Sequence, residues 1–114
     1  MLGRHYQLNA FTSGKPFSSP DRSLDLPVIN PADFTEHTFD NLKDHFDFQN
    51  NETYKQRYWV NDVYWTADTS GPNFLYINGE GRAGPPSTSM YPFMVGASHN
   101  ARLWSLEHRF YGDS

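Results

Sequence analysis

The sequence predicts an α/β domain made of an antiparallel hairpin followed by one βαβ unit. Residues 54–65 alternate in the manner of strands, and Asn61 and Asp62 interrupt them with residues typical of a turn. Short apolar runs at residues 74–77 and 103–107 have the length and composition of buried strands. A helical stretch lies between these two runs, so we expect them to pair in parallel.

The connecting helix is expected at residues 90–98. Pro92 suits its first turn, because an N–H at that position would lack an intrahelical acceptor. Asn100 tolerates the left-handed conformation and is expected to end the helix. The N-cap candidates are the hydroxyl residues that come just before the helix, Ser87, Thr88 and Ser89.

The chain divides into an arm and a folded part. Residues 1–33 contain four prolines among several serines, which predicts an extended Pro/Ser-rich arm. Residues 34–114 are expected to form the folded part. Within it, residues 34–48 have several phenylalanines without a clear period, and we interpret them as a loop with aromatic anchors.

Composition narrows the classes of partner. Nine basic and 13 acidic residues give a net charge of −4, with no cluster of positive charge for a nucleic acid or an anionic membrane. The absence of cysteine excludes disulfides and thiolate metal sites. No apolar run approaches the roughly 20 residues of a membrane span. Residues 1–10 show no apolar core of a signal peptide. We therefore expect neither a nucleic-acid partner nor a membrane partner.

A G-x-G-x-x-G pattern at residues 79–84 directly follows the first apolar run. Glu107 ends the next predicted strand, about where a dinucleotide-binding fold keeps the acid that binds a ribose. That reading requires a helix beginning within the glycine run, because the pyrophosphate binds at its N-terminus. Pro85 and Pro86 prevent such a helix, so dinucleotide binding remains the least favoured alternative.

Other candidate residues have structural explanations. No histidine pair has the spacing of metal ligands, and no serine lies in a G-x-S-x-G elbow, so the sequence predicts no metal, no cofactor and no nucleophile. We interpret Glu107, Arg109 and Asp113 as a structural turn held by an arginine–carboxylate pair. Asn51 begins an N-x-T sequon, a candidate N-glycosylation site in an exported protein.

Three blocks of the sequence resemble a family of serine exopeptidases that includes prolylcarboxypeptidase, dipeptidyl peptidase II and thymus-specific serine protease. Residues 39–46 read F-D-N-L-K-D-H-F where family members typically read F-x-Q-x-L-D-H-F. Residues 54–65 form the second block. Residues 74–81 form the third, together with the specific run L-E-H-R-F-Y-G-D-S at residues 106–114.

The resemblance implies the N-terminal part of an α/β-hydrolase fold, incomplete in this chain. The hairpin within residues 54–65 would provide the first two strands, and residues 74–77 and 103–107 would be the third and fourth. In this fold the loop after the third strand donates a backbone N–H to the oxyanion hole. Family members usually read G-G-E-G or G-N-E-G in that loop. The matching candidates in this chain are Asn78, Gly79, Glu80 and Gly81.

The implied function is serine-type exopeptidase activity on short peptides, next to proline, in a secreted or lysosomal enzyme whose partner is its peptide substrate. The catalytic serine, aspartate and histidine of the family would follow Ser114. We therefore expect a fragment that hydrolyses nothing alone and folds poorly, because the third strand would have an open edge. A non-catalytic remnant or binding fragment is the alternative.

Overall fold

The computed structural model describes residues 26–66 and 70–114 as a four-stranded mixed sheet with one α-helix. Helix α1 (Tyr91–Ser98) connects the last two strands, and a 3-10 turn at Pro31–Asp33 precedes the first. The predicted arm lies outside the described residues as far as residue 25. The strands are β1 (Thr35–Leu42), β2 (Thr53–Asn61), β3 (Asn73–Ile77) and β4 (Arg102–Leu106).

The last of the described strands, β4, lies inside the sheet. Strand order is β1-β2-β4-β3, so β4 pairs with β2 on one side and with β3 on the other. The β1–β2 and β2–β4 pairs are antiparallel, whereas β3 and β4 are parallel with Leu75 opposite Trp104. The predicted α/β class and the predicted βαβ unit are therefore confirmed.

The prediction of a loop at residues 34–48 is wrong over its first half, because β1 occupies residues 35–42. This strand lies at the edge of the described sheet, and seven of its eight residues are exposed. An exposed edge strand needs no regular apolar alternation, because little of it faces the core. Its polar residues concealed the strand from a search for apolar periodicity.

The predicted hairpin is also displaced by one strand. Residues 54–65 do not contain two strands, since β2 ends at Asn61 and no second strand follows within this range. The turn itself lies where we expected it: the Asn61 side chain accepts the Val63 N–H at 2.9 Å, and Trp65 N–H donates to the Asp62 carbonyl at 3.1 Å. The antiparallel partner of β2 is β1 instead.

The hydrophobic core lies between α1 and one face of the sheet. Phe93 of the helix is buried, with its ring centroid 5.7 Å from that of Phe34 and 6.1 Å from that of Tyr76. Aromatic pairs of this kind contribute stability beyond their buried area. The remaining core residues are Ile29, Trp59, Ala97, Ala101 and Leu103.

Helix α1 begins and ends by different means. Its N-cap residue is Met90, which makes no side-chain capping bond, so the predicted Ser/Thr cap is wrong. Asn100 has φ of 58°, and its N–H donates to the Ala97 carbonyl at 3.1 Å. The N–H of Ala101 donates to the Gly96 carbonyl at 3.0 Å. These bonds form a Schellman motif, which confirms Asn100 as the residue that closes the helix.

The opposite face of the sheet carries no described element. An apolar hollow of about 310 Å³ lies on this face. Leu75 and Ile77 of β3 are 60% and 61% exposed there. The outer edge of β3 also has no paired strand among the described residues. The residues that line the hollow are Phe39, Tyr58, Leu75, Trp104 and Leu106.

Close packing beneath α1 predicts the effect of adding one methyl group. A Cβ at Gly96 would lie 2.8 Å from Leu103 Cδ2 and 2.9 Å from Phe74 Cδ2. We expect Gly96→Ala to lower the free energy of unfolding by about 1–3 kcal/mol, because overpacking outweighs the gain in helix propensity. Urea unfolding followed by tryptophan fluorescence measures this change.

The same substitution at Gly84 is the matched control. A Cβ at Gly84 has no atom within 4 Å, so Gly84→Ala should leave stability unchanged or raise it by a few tenths of a kcal/mol. Equal effects of the two substitutions would contradict the packing described for α1.

Candidate functional site

The candidate site is the loop that follows β3 at the carboxyl end of the parallel pair. Residues 78–83 line a shallow cavity of about 240 Å³. Ligands of α/β proteins bind at this end of the strands, where loops follow several of them. A Cβ placed on Gly79 would meet no atom within 4 Å, so the backbone is open to an approaching ligand.

Asn78 anchors the start of this loop to β4. Its backbone N–H donates to the Leu106 carbonyl at 2.9 Å. Its side-chain amide donates to Ser105 Oγ at 2.8 Å and to the same carbonyl at 2.9 Å. Of the four residues predicted for the oxyanion loop, Asn78 therefore cannot offer its N–H to a ligand in this conformation.

The other three candidates retain unused donors. Within the part of the chain that the structure describes, the N–H groups of Gly79, Glu80 and Gly81 have no hydrogen-bond acceptor. Glu80 itself is exposed. Adjacent backbone N–H groups at an exposed turn can bind an anion or a developing oxyanion. The loop therefore has donors, although it holds no nucleophile.

Behind this loop lies a buried ion pair that links the two central strands. Glu107 directly follows β4 and is 0% exposed, and Arg57 in the middle of β2 is 7% exposed. Arg57 Nε lies 3.1 Å from Glu107 Oε1, and Nη2 lies 2.7 Å from Oε2. This two-bond geometry is the strongest form of arginine–carboxylate contact.

The Glu107 carboxylate accepts further hydrogen bonds from backbone and hydroxyl groups. Oε2 accepts the Ala83 N–H at 2.9 Å. Oε1 accepts the Ser114 hydroxyl at 2.7 Å and the Asp113 N–H at 3.2 Å. With the two bonds from Arg57, the carboxylate accepts five hydrogen bonds, so its roughly four lone-pair sites are all occupied.

This surrounding network sets the protonation state of both partners. Burial raises the pKa of Glu107, but hydrogen bonds from Arg57, Ser114 and the Ala83 N–H lower it further than burial raises it, and the resulting pKa is about 2. The hydrogen bond to Glu107 raises the pKa of Arg57 above its ordinary value. Both groups are therefore charged at neutral pH.

The chain turns back over Glu107 after β4, as predicted. The arginines that bond to the carboxylates of this turn are not the predicted one. Asp113 accepts two bonds from Arg82, at 2.7 and 3.0 Å, and the pKa of Asp113 is lowered chiefly by that contact. Arg109 was expected to pair with a carboxylate in this turn. Its guanidinium instead lies 4.6 Å from the ring centroid of Tyr54. The prediction that Arg109 forms the ion pair was wrong. The arginines that bond to these carboxylates, Arg57 and Arg82, lie elsewhere in the chain.

The geometry disfavours the dinucleotide alternative. Helix α1 begins at Tyr91, well after the last glycine of the pattern at Gly84, so no described helix N-terminus faces the glycine run. Glu107 is buried and fully bonded, and it has no oxygen free for a ribose.

Contacts between hydroxyls and histidines in the described residues form no catalytic triad. Ser98 Oγ lies 3.1 Å from His99 Nδ1, but both atoms bond to the Val95 carbonyl at the end of α1. Thr35 Oγ1 lies 2.9 Å from His37 Nε2 on the exposed edge strand. Across residues 26–66 and 70–114, no cluster of His, Asp and Glu could hold a metal ion.

Two residues of the site were missed by sequence reasoning. Arg57 appeared only as one position of an alternating strand, and its carboxylate partner lies 50 positions later. Ala83 contributes only its backbone, which leaves no signal in a side-chain pattern. The sequence did contain a usable signal: Arg57 lies two positions before Trp59, on the same strand face, and an arginine that faces the core needs a partner.

Comparison with known proteins identifies the family. Residues 41–114, more than half of the chain, match the family described as serine carboxypeptidase S28. The chain belongs to this family of serine peptidases, and its mixed sheet with one described helix is consistent with part of a peptidase domain.

Named relatives agree with this assignment. The chain is 43% identical over 72 residues to the thymus-specific serine protease of Homo sapiens, covering 62% of this chain and 14% of that protein. It is 44% identical over 70 residues to the Mus musculus protein of the same name, covering 60% of this chain and 14% of that protein. It is 32% identical over 104 residues to the lysosomal Pro-X carboxypeptidase of Mus musculus, covering 88% of this chain and 21% of that protein. The chain thus spans about a fifth or less of these relatives.

Removing the buried carboxylate should destabilise the fold in a pH-dependent manner. At neutral pH we expect Glu107→Ala to cost about 3–5 kcal/mol, because the buried Arg57 would lose its two-bond partner and keep only the exposed Glu36 and Asp113, at 3.4 and 3.3 Å. The folded pKa of about 2 lies below the ordinary value of 4.5, so the carboxylate stabilises the fold fully above pH 4.5. That contribution decreases as the pH falls towards 2.

Chemical unfolding of the wild type and the variant, compared between pH 7 and pH 2, measures this loss. Asp40→Ala is the control, because Asp40 of β1 forms an exposed 2.6 Å pair with Lys55 of β2. An exposed pair contributes at most about 1 kcal/mol. A stability difference for Glu107→Ala that stayed constant over this pH range would contradict the assigned ionisation.

Proposed function

We propose that this chain supplies the first part of the catalytic domain of a serine-type exopeptidase with an α/β-hydrolase fold, which removes residues from short peptides. The observation that carries the proposal is that the family match covers a loop with unused backbone donors at the carboxyl end of β3. In an α/β-hydrolase the corresponding loop provides one half of the oxyanion hole.

The proposed chemistry is acyl transfer through a covalent intermediate. A serine attacks the scissile carbonyl, a histidine takes the proton of the serine, and the carbonyl oxygen becomes an oxyanion. Backbone N–H groups of Gly79, Glu80 or Gly81 stabilise this oxyanion. One such donor contributes roughly 3–4 kcal/mol to lowering the barrier.

The nucleophile, its histidine and its aspartate are assigned to parts of the complete enzyme outside residues 1–114. No serine in residues 26–66 and 70–114 contacts both a histidine and a carboxylate. We therefore expect the 114-residue chain alone to hydrolyse no peptide.

The name of one relative supports the proposed substrate class. One of them is named a Pro-X carboxypeptidase, and its similarity to this chain supports cleavage next to proline. Carboxypeptidase and dipeptidyl-peptidase activity are both compatible with this segment, because an oxyanion donor does not choose the end of the peptide.

The proposed location is the secretory pathway or the lysosome. A relative from Mus musculus and another from Bos taurus are named lysosomal. Asn51 is exposed in the connection between β1 and β2, where a glycan could attach without disturbing the core. No helix in the described ranges has the length and apolar character needed to span a bilayer.

A binding fragment is the second candidate. The exposed hollow around Tyr58 and Trp104 favours it, because an uncovered apolar surface of this kind often marks an interface. This candidate predicts that the segment fails to support catalysis even when the rest of a peptidase is present.

A chimeric enzyme separates the two candidates. Residues 41–114 replace the matched segment of the Mus musculus lysosomal Pro-X carboxypeptidase, and hydrolysis of a Pro-X peptide and labelling by a fluorophosphonate are measured. We expect the chimera to be active and labelled, and the 114-residue chain to be neither. A folded chimera that is inactive and unlabelled would favour the binding fragment.

Proline substitutions in the chimera test the oxyanion donors, because proline has no backbone N–H. Of Gly79→Pro and Glu80→Pro, we expect at least one to lower kcat by about 10²–10³ with little change in KM. Gly79→Ala and Glu80→Ala keep the N–H and should stay within a few-fold of the parent. Wild-type kcat in both proline variants would exclude Gly79 and Glu80 as the donors.

A further inference from the structure

The loop that carries the proposed donors is held from behind through Ala83. The Ala83 N–H donates to Glu107 Oε2 at 2.9 Å, and the Ala83 carbonyl accepts from Arg57 Nη2 at 3.2 Å. One buried ion pair therefore binds both polar groups of a single loop residue. In a sheet a neighbouring strand would satisfy these groups, but here two side chains replace it.

Both ends of the donor segment are fixed by the same part of the chain. Asn78 bonds to Ser105 and Leu106 at the end of β4, and Ala83 bonds to Glu107, the next residue. The residues between these anchors are 79–82. The segment is too short to move far while both anchors hold.

We propose that Arg57 and Glu107 are positioning residues that hold residues 79–82 in the conformation that presents their N–H groups to the oxyanion. This inference rests on the proposed role of the loop. The sequence predicted a structural turn or, in the dinucleotide alternative, ribose binding for Glu107, and it predicted no role for Arg57.

A purely stabilising role explains this pair less well than a positioning role. Replacing a buried ion pair by apolar residues often leaves a protein equally or more stable, so such a pair is weak evidence for stability. What apolar side chains could not reproduce is the pair of hydrogen bonds to Ala83. A preorganised donor costs no reorganisation when charge develops on the substrate, which is the advantage of a fixed loop.

The charges around the loop also indicate that the ion pair acts by positioning the backbone donors, not by the electrostatic field of its own charges. Arg57 and Arg82 carry two positive charges, whereas Glu36, Glu107 and Asp113 bring three negative charges within bonding distance of them. A group of five charges with a net charge of −1 does not attract an anion. Its effect on an oxyanion must therefore act through the position of the backbone N–H groups.

Hydrogen–deuterium exchange on the full 114-residue chain tests the proposal without any catalytic activity. In the wild type, the Ala83 amide should exchange as slowly as the amide of Leu103 in β4, and the exposed Glu80 amide should exchange fast. Glu107→Gln places an NH₂ group against the donors that now bond to the Glu107 carboxylate. Arg57→Lys removes the guanidinium whose Nη2 reaches the Ala83 carbonyl. We expect both variants to accelerate Ala83 exchange at least tenfold more than exchange of Leu103.

Asp40→Asn is the matched carboxylate-to-amide control, since it breaks the exposed pair with Lys55 on β2 and touches no loop residue. It should leave the ratio of Ala83 to Leu103 exchange unchanged. The proposal is overturned if the wild-type Ala83 amide exchanges as fast as Glu80, or if Ala83 and Leu103 accelerate by one common factor in both variants. Arg57→Lys retains the charge and keeps the test decisive if Glu107→Gln does not fold.

A kinetic readout in the chimera addresses positioning directly. Arg57→Lys should lower kcat at least tenfold with KM within about twofold, because substrate binding does not need the oxyanion donors. Gly96→Ala destabilises the core without touching the loop, so it serves as the control for stability alone. Equal losses of kcat in these two variants would assign the ion pair a structural role only.

The two proposals fail in different ways. An inactive chimera with selective loop exchange in the 114-residue chain would reject the peptidase function and keep the positioning role of the pair. An active chimera without selective loop exchange would keep the peptidase function and reject the positioning role of the pair.

Discussion

The buried contact between Arg57 and Glu107 is the interaction on which this structure depends most. It joins the middle of β2 to the end of β4, and through Ala83 and Ser114 it fixes a loop and the final turn. Taking two charges out of water is costly, so the contact survives only because every oxygen of the carboxylate is hydrogen-bonded. The two strands therefore have to keep their register for the pair to form.

Features determined by local sequence could be predicted, and those determined by distant partners could not. Asn100 closes α1 because the left-handed conformation needed there favours asparagine. The apolar run of β3 is recognisable in the sequence whichever strand it pairs with. The edge strand β1 could not be recognised, because an exposed strand shows no apolar period. Arg109 was expected to supply the arginine–carboxylate pair of the turn, whereas Arg57 pairs with Glu107, since a partner in another strand cannot be read from neighbouring positions.

The candidate site was predictable in position and only partly in composition. The glycine run after an apolar strand located the loop, and the family resemblance gave it a role. Hydrogen bonding then removed Asn78 from the set of donors, because its N–H continues the pairing of β3 with β4. Patterns of side chains do not reveal which backbone amides are already occupied, so only three-dimensional geometry could make this distinction.

The position of β4 inside the sheet has a consequence for synthesis on the ribosome. The β1–β2 hairpin can form as soon as residue 61 has emerged, because its contacts are close in sequence. β3 emerges next but has no described partner until β4 follows it, with α1 between them. During this interval Arg57 lacks Glu107, and one side of β2 is open to other chains. This segment is thus most exposed to mispairing shortly before β4 is complete.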